Sequence, residues 1–453
     1  MINKKIFKKI TEKVLKLSKA DETEVLIVAG KSGLTRFANN MIHQNVVSED
    51  VGLSIRMVLG NKVGVASGNI SLNDKLEDQL KKIVERSLEI TKASAPDSEF
   101  AGLPGPTKRK TEKTNLKSVY KSTLNFTPKQ RAKAVGKIIE KAEQADLITF
   151  GSLQTGLTEY CLANSKGIFV YHPVSSAALN IRVFNGERSG YAGHISTNIA
   201  DIDFEKLANS AIRKTEAIDK SWDFVPGEYE VVLEEPAVAE MMQFLAYLGF
   251  GAKQFHEGSS FVSGRLGERV LGENVSIYDD PFHPLNLGMP FDFEGMAKEK
   301  LPLVENGVIK NVVYDHKYGK KHGKKPTGHG LPAPNTEGPM PFHLSMSPGT
   351  TPRAELIKKV KKGILVTRFW YVNPIHPKLL NITGMTRDGT FLIENGKITA
   401  RLNNLRFTQS IPEALANVLN IAREVKAEES FGGATVVPSL HIGKWNFTGI
   451  SKL

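Results

Sequence analysis

An internal repeat constrains the fold of this chain more than any other feature of its sequence. Six residues recur 126 positions later without a gap, and each set lies in β-prone runs with a glycine turn, just before a helical pattern. The first set is Leu53, Ile55, Arg56, Gly60, Gly64 and Ala66, and the second is Leu179, Ile181, Arg182, Gly186, Gly190 and Ala192. The repeat indicates two related β-hairpin-plus-helix units, although unrelated hairpins can converge on similar turn residues.

Helical patterns accompany both units. The first twenty residues place their apolar side chains on one stripe, which is typical of a docking helix and not of a signal peptide. Thr127-Pro128 predicts the start of a later helix, with threonine as the N-cap and proline in the first turn. A Pro- and Gly-rich linker lies between the units. We therefore expect an N-terminal α/β domain over residues 1–220, with its two units at about 1–95 and 115–220.

The sequence changes character near residue 223, where hairpin signals begin to dominate. Asn306-Gly307 and Asn395-Gly396 each lie between alternating apolar residues, which is the strongest short-range signal for a β-hairpin turn. Helical patterns are confined to about residues 236–250 and 412–427. The prediction is an α+β fold in which a larger, hairpin-rich β domain with a few helices, residues 223–453, follows the α/β domain.

Composition narrows the functional classes. The chain has 453 residues and 40% hydrophobic content, enough for two or three domains. Its one cysteine, Cys161, excludes an intramolecular disulfide and a Cys-rich zinc cluster and favours a cytoplasmic location. No apolar run is long enough to span a membrane. The net charge of +12 would attract nucleic acid, but the lysines are interspersed with acidic residues on helical patterns, so nucleic-acid binding is disfavoured.

Short catalytic motifs are incomplete in this chain. His256-Glu257 starts like the zinc motif His-Glu-x-x-His, but no second histidine follows on that face. Gly30-Lys31-Ser32 lacks the earlier glycine of a phosphate-binding loop, and no Gly-x-Ser-x-Gly supports a serine nucleophile. The basic segment at residues 317–325 is predicted to be a flexible, solvated loop, with anion binding as the alternative.

Longer stretches of the second half resemble the TldD/PmbA family. The resemblance rests on "GEYEVVLEEPAVAEMMQFLAYLGFGAKQFHEGSSFVSGRLGE", "TGHGLPAPNT", "GILVTRFWYV", "TGMTRDGTFLIENGKI" and "GGATVVPSLHIGKWNFTG". It implies a two-domain protein related to a cytosolic metallopeptidase heterodimer. Members of the family have also been labelled modulators of DNA gyrase.

The family contains two kinds of subunit, and the resemblance places this chain with the PmbA/TldE-like kind. TldD-like subunits carry His-Glu-x-x-x-His about twenty residues before an "SG" turn and a further cysteine ligand near the C-terminus. Gln243, Phe244 and Leu248 stand at the motif positions here, and "SFGGATVVPSLHIG" has no cysteine. The resemblance thus implies a subunit that binds no metal of its own. Zinc is expected only in a TldD-like partner.

Three functions are compatible with the sequence. The first is a subunit that dimerises, with itself or with a TldD-like chain, and helps to bind extended peptides for proteolysis. The second is a standalone metallopeptidase with a non-standard site, in which Glu257 would be the base and the candidate ligands would be His256, His283, His329 and His376. The third is a regulatory protein that binds protein or DNA, for which only the positive charge argues.

Overall fold

A computed structural model describes residues 4–107, 117–216, 218, 222–430 and 433–451. Within these ranges, no helix is long and apolar enough to cross a membrane. The described strands form two sheets, one from the first half of the chain and one from the second. The change from one sheet to the other falls between residues 196 and 227.

The first sheet contains six antiparallel strands in the order β3-β2-β1-β4-β5-β6. Its first half and the associated helices are α1 (Lys4–Leu17), β1 (Glu22–Ala38), β2 (Met41–Leu59), β3 (Lys62–Asn69) and α2 (Leu76–Ala93). Its second half is α3 (Lys121–Leu124), α4 (Pro128–Gln144), β4 (Ile148–Asn164), β5 (Phe169–Asn185), β6 (Arg188–Ser196), a 3₁₀ turn (Ile199–Asp201) and α5 (Phe204–Arg213). Strands β1 and β4 pair at the centre and join the two halves.

The predicted repeat is confirmed as two copies of one unit. In each copy a helix precedes three strands and a second helix follows them, and the four helices cover one face of the sheet. Ile55 and Ile181 are fully buried beneath these helices. Gly60 and Gly186 turn the chain with φ of +58° and +57°, a region that glycine enters without steric cost. The repeat therefore preserves the core and the turns of both units.

Helix α4 begins as the sequence predicts. The Thr127 side chain accepts a hydrogen bond from the Gln130 backbone N–H, and the Gln130 side chain accepts one from the Thr127 N–H. This reciprocal pair is a capping box, which satisfies backbone donors that the first turn leaves free. Cys161 lies in the core of the first half, where burial raises the pKa of its thiol to about 12. Its environment is that of a packing residue.

The second sheet has eleven strands and includes a closed ring. Its elements are β7 (Gly227–Leu233), α6 (Glu235–Leu248), α7 (Ala252–His256), β8 (Ile277–Asp279), β9 (Leu301–Glu305), β10 (Val308–Ile309), α8 (His316–Lys321), β11 (Leu344–Met346), α9 (Arg353–Lys358), β12 (Lys362–His376), a 3₁₀ turn (Pro377–Leu379), β13 (Asn381–Glu394), β14 (Lys397–Arg401), β15 (Leu405–Ser410), α10 (Ile411–Ala416), β16 (Val418–Ser430) and β17 (Gly433–Ile450). Strands β17, β15, β13, β12 and β7 follow one another, and β7 also pairs with β17. The ring leaves no free edge among its five strands.

Both Asn-Gly turns are confirmed. Asn306 and Gly307 have φ of +49° and +75° between β9 and β10, and Asn395 and Gly396 have +50° and +75° between β13 and β14. Positive φ at both positions is the geometry that favours Asn-Gly in tight hairpins. The hairpin-rich character of the second half follows from such turns. The exact domain bounds, 1–220 and 223–453, remain a prediction.

One predicted helix is wrong for most of its length. Over residues 412–427 the chain forms α10 (Ile411–Ala416), ends the helix at Asn417, and continues as β16. From Val418 to Ser430 the backbone pairs with β17, with two register shifts. Pairing with a distant strand overrides a local apolar pattern that fits either structure.

The basic segment at residues 317–325 is also not the flexible loop that was predicted. Most of it is α8, whose N-cap Asp315 accepts a hydrogen bond from the Tyr318 N–H at 2.7 Å. Lys317 lies 3.3 Å from Asp97, and Lys321 forms an ion pair with Glu99. These acidic residues lie more than 200 positions earlier in the chain, so the sequence around the basic segment does not reveal the contacts. Two of the basic side chains thus pair with the linker that follows the first unit.

The two halves of the molecule meet through the uncovered face of the first sheet. Apolar residues at this junction include Val174 and Ile195 from the first half and Ala427 and Val436 from the second. Arg401 donates to the carbonyl oxygens of Lys214 and Ser189 at 2.7 and 3.0 Å. The junction therefore combines a small apolar core with directed polar contacts.

Candidate functional site

Helix α6 contains Gln243, Phe244 and Leu248, the positions at which the family resemblance leads us to expect the metal motif of TldD-like chains. It starts with Pro236 in its first turn, a position that tolerates the missing N–H of proline. Met241, Met242 and Leu245 are fully buried on its inner side. The opposite side, which includes Gln243 and Phe244, faces a cavity of about 380 Å³. The local sequence forms the expected helix but presents an amide and a phenyl ring at the cavity.

Three parts of the second half enclose this cavity. They are helix α6, the segment from residue 331 to β11, and the facing ends of β16 and β17. The lining residues are Glu240, Gln243, Phe244, Ala246, Tyr247, Leu331, Glu337, Met340, Pro341, Phe342, Leu344, Ser430 and Thr435. A mostly apolar wall with a few polar groups is typical of a site that binds a small molecule or a side chain.

The charged groups in the lining are both acidic. Burial raises the pKa of the Glu240 carboxyl, and the positive charge of Arg368 opposes that effect. Glu337 lies at the exposed rim, where its carboxylate is 3.4 Å from the Tyr247 hydroxyl. Neither lysine, arginine nor histidine is among the lining residues. The cavity therefore suits an apolar group without a negative charge.

A buried ionic cluster lies behind the cavity wall. Asp279 Oδ1 is 3.3 Å from Lys298 Nζ and 3.1 Å from His329 Nε2, and Lys298 Nζ is 3.0 Å from His343 Nδ1. Burial alone would raise the pKa of Asp279, but the nearby cation and imidazoles hold it well below its usual range. Burial and Lys298 lower the pKa of His343 to about 3, so this imidazole is neutral. His343 lies between the lining residues Phe342 and Leu344, so the cluster fixes the wall of the cavity.

Most of this cluster cannot be recognised from the sequence. His329 is a candidate from the sequence, whereas Asp279, Lys298 and His343 come from three separate segments and are not. His329 is fully buried, and its Nδ1 lies 2.9 Å from the Thr327 hydroxyl. No spacing in the sequence could bring the four residues together. The fold places them in one ion-paired group that is closed to solvent.

The candidate pair His256 and Glu257 lies at the end of a short helix. His256 is the last residue of α7, and Glu257 caps it. His256 Nε2 is 3.0 Å from the Tyr314 hydroxyl, and the imidazole stacks on that of His322 with ring centroids 3.4 Å apart. Glu257 is exposed at the surface. Aromatic and histidine side chains surround His256 at this place.

The other two histidine candidates have local backbone contacts of their own. His283 Nδ1 accepts a hydrogen bond from the Leu285 N–H, and His376 Nδ1 accepts one from the Leu379 N–H, each at 3.2 Å. The structure thus gives the four candidate histidines four different sets of partners. In the described part of the chain, no group of three or more His, Cys, Asp or Glu side chains is arranged to hold a metal ion.

The motif positions do not fit a zinc ion. Zinc in peptidases binds imidazole, carboxylate or thiolate groups. Gln243 offers a neutral amide, and Phe244 and Leu248 offer hydrocarbon. Phe244 has no proton acceptor that could activate water. The chemistry that these residues support is the binding of an apolar group.

Comparison with known proteins covers most of the chain. The family model described as PmbA/TldA metallopeptidase C-terminal domain matches residues 226–449. The models for domain 1 and for the central domain match residues 23–91 and 124–217. The metalloprotease PmbA homolog of Haemophilus influenzae is 25% identical over 90% of this chain and 89% of its own length. The metalloprotease TldD homolog of Buchnera aphidicola (subsp. Acyrthosiphon pisum) is 25% identical over 87% of this chain and 83% of its own length.

Solved structures show the same fold. The crystal structure of TldE from Thermococcus kodakarensis superposes with a TM-score of 0.86 and 20% identity, covering 97% of this chain and all of that one. Three family models along one chain, together with relatives aligned over nearly its whole length, establish what the motifs indicated. The chain belongs to the PmbA/TldD family of metallopeptidase-like proteins.

Proposed function

We propose that this chain is the peptide-binding, metal-free subunit of a cytoplasmic two-chain peptidase, in which a TldD-like partner supplies zinc and the general base. The observation that carries the proposal is the cavity beside Gln243 and Phe244. The helix that bears a metal motif in TldD-like chains is present here, but it forms the wall of an apolar cavity. Such a wall can hold a substrate side chain.

The size and polarity of the cavity favour an apolar side chain of an extended peptide. Burial of a leucine or phenylalanine side chain contributes about 1.5–3 kcal/mol, which is enough to orient a flexible chain. Phe244, Phe342 and Leu344 supply apolar contact surface. The two lining carboxylates would disfavour an acidic side chain.

A strand edge next to the cavity could bind the peptide backbone. Strand β16 pairs with β17 on one side. Among the described residues, no strand pairs with its other side from Val425 to Ser430, and Ser430 lines the cavity. An extended peptide added at such an edge forms main-chain hydrogen bonds with little sequence preference. This arrangement fits unfolded or flexible peptides as substrates.

Reconstitution with a TldD-like chain tests the proposal. We expect cleavage of an unstructured, leucine-rich, fluorescence-quenched peptide only when both chains are present. Ala246→Trp fills the cavity and should lower kcat/KM roughly tenfold, mainly through KM, because about 1.4 kcal/mol of side-chain burial is lost. Leu72→Trp, at an exposed position of the first half, is the matched control. Equal loss in both variants would contradict a role for the cavity.

Metal content separates this function from a standalone peptidase. We expect less than stoichiometric zinc in the purified chain, measured by elemental analysis, because the motif positions provide no ligand. About one zinc per chain, lost in His256→Ala or His329→Ala, together with cleavage by this chain alone, would instead support the standalone enzyme. Light scattering gives the assembly state: a monomer of about 50 kDa that fails to bind the TldD-like chain would contradict the subunit role.

A further inference from the structure

The repeat places two equivalent arginines in opposite charge environments. Arg56 and Arg182 are equivalent by the repeat, and both point to the sheet face that meets the second half. In the first unit the cross-strand neighbour of Arg56 is Glu24, and the two side chains form a partly buried hydrogen bond of 2.7 Å. In the second unit the residue opposite Arg182 is Phe150. The carboxylate that neutralises the first arginine is therefore replaced by a phenyl ring at the second.

The guanidinium of Arg182 has no polar partner in the part of the chain that the structure describes. It lines an open cavity of about 480 Å³ together with Ile148, Phe150 and Phe184. Phe150 and Phe184 contact each other edge to face, with ring centroids 5.2 Å apart. A half-buried arginine beside apolar walls lacks the full hydration that an exposed one has. Binding of an anion with an apolar body would therefore be favourable at this site.

Two further arginines extend the positive charge into the second half. The cross-strand neighbour of Arg182 on β6 is Tyr191, and the guanidinium carbon of Arg368 lies 4.9 Å from the centroid of that ring. Arg368 is in turn the cross-strand partner of Arg387. Like charges directly opposite each other destabilise a sheet pair, so this arrangement carries a cost. The second half supplies two cations where the first unit has a carboxylate.

One of these three cations is paired with a carboxylate. Asp388 Oδ2 accepts a hydrogen bond from Arg368 Nε at 2.6 Å, but Arg368 Nη2 is buried without a partner among the described residues. Glu240 interacts with Arg368 at longer range. Burial and the positive charges of Arg368 and Arg182 lower the pKa of Arg387, although Asp388 opposes this. Among the described residues, the one ion pair that any of the three arginines forms is therefore that of Arg368 with Asp388.

The aromatic rings hold these guanidinium groups in place. The guanidinium carbon of Arg387 lies 3.8 Å from the centroid of the Trp370 ring, and Arg368 lies over Tyr191. Guanidinium groups stacked on rings lose little further freedom when they bind an anion, and their fork of N–H donors matches a carboxylate. Stacking of this kind would preorganise two of the three guanidinium groups, those of Arg368 and Arg387, for an anion.

We propose that Arg182, Arg368 and Arg387 form a binding site for a carboxylate of an extended peptide, at the junction of the two halves. The inference rests on the proposed peptide-binding function and adds the chemistry of a second contact, separate from the cavity beside α6. The carboxylate can be the free C-terminus or an acidic side chain of the peptide. A peptide fits better than duplex DNA because the arginines are recessed between the two halves and apolar and aromatic rings flank them.

Binding of labelled peptides to the full chain tests this site. The probes are one unstructured apolar peptide with a free C-terminus, the same peptide amidated, and an amidated version with one central glutamate, measured by fluorescence anisotropy at low salt. Wild-type protein should bind the free acid roughly tenfold more tightly than the amide, since a charge-assisted pair is gained. Arg182→Gln and Arg387→Gln should bind acid and amide equally. Arg86→Gln, an exposed arginine on α2, is the matched control.

Each binding result supports or contradicts a specific part of the proposal. Preference for the glutamate peptide over the amide would assign the site to side chains, and preference for the free acid would assign it to the C-terminus. Equal binding of all three peptides to wild type would overturn the carboxylate site and leave peptide binding intact. Binding of none would remove both proposals. Duplex DNA that binds in an Arg182-dependent way, with no peptide preference, would overturn the peptide assignment in favour of phosphate.

Discussion

Arg56 and Arg182 occupy the same place in the two units of the first sheet, yet one is neutralised and the other is not. Arg56 is bonded to Glu24, and two further carboxyls of the second half, Asp292 and Glu294, act on it electrostatically. Arg182 meets Phe150 and the charges of Arg368 and Arg387. The arginine at the same backbone position is thus ion-paired in one unit and carries an uncompensated positive charge in the other.

The difference shows which features of a duplicated unit are free to change. Residues that face the helices are constrained by packing: Leu53 and Leu179 are both buried, and an added Cβ at Gly64 or Gly190 would collide with the helix above. Residues on the other face are constrained only by the side chains of the second half that they contact. The two halves of the sheet diverge in chemistry on the face where they meet another part of the chain.

Removal of each arginine should give the largest contrast. Arg56→Met leaves Glu24 buried without its partner, and we expect a loss of about 3–5 kcal/mol in the free energy of unfolding. Arg182→Met breaks no ion pair and should change that free energy by less than about 0.5 kcal/mol. Urea denaturation of both variants measures the difference. Similar losses would mean that the two arginines have equivalent structural roles.

A carboxylate placed opposite Arg182 should reproduce in the second unit the ion pair of the first. In Phe150→Glu the new carboxylate lies opposite Arg182, as Glu24 lies opposite Arg56, and should compete with a bound anion. We expect the roughly tenfold preference for the free-acid peptide to fall to near unity. Phe150→Gln, which has the same shape and no charge, is the control and should retain the preference. Anisotropy titrations give both ratios.

Asp292, one of the carboxyls that act on Arg56, should have a smaller, pH-dependent effect on stability. Burial raises the pKa of Asp292 to about 6, from an ordinary value of 3.8, although backbone N–H groups oppose this. A raised carboxyl pKa means that the fold favours the protonated form, so this contribution to stability is present at low pH and is lost as pH rises through 6. Between pH 5 and 7 the melting temperature of the wild type should therefore fall relative to that of Asp292→Asn. Parallel curves would show that Asp292 titrates normally.

Local signals predicted the local structure. The repeat, the capping box at Thr127 and the two Asn-Gly turns depend on residues close in sequence, and each is found in the structure. Residues 418–427 were predicted as helix and form a strand because their partner, β17, is what decides their conformation. A single window of sequence cannot predict pairing of that kind, because strand conformation depends on the partner strand.

Only part of the candidate site could be predicted from the sequence. The family resemblance singled out Gln243 and Phe244 as the expected motif positions, an assignment that stays a prediction, and the structure shows that they line a cavity. Arg182 and Arg368 lie far apart in sequence, and their proximity depends on how β6 meets β12. The change from Glu24 to Phe150 can be read from the repeat, but its meaning requires the strand register.

The closed ring of the second half has a consequence for the order of folding. Strand β7 pairs with β17, about 200 residues later in the chain, and that contact completes the ring. Contacts between such distant segments form slowly because a long loop must close first. During synthesis the first sheet can assemble from residues already made, whereas β7 has to wait for residues 433–450. Until then its edge is open, and a ribosome-bound or truncated chain would present that edge to chaperones and to other nascent chains.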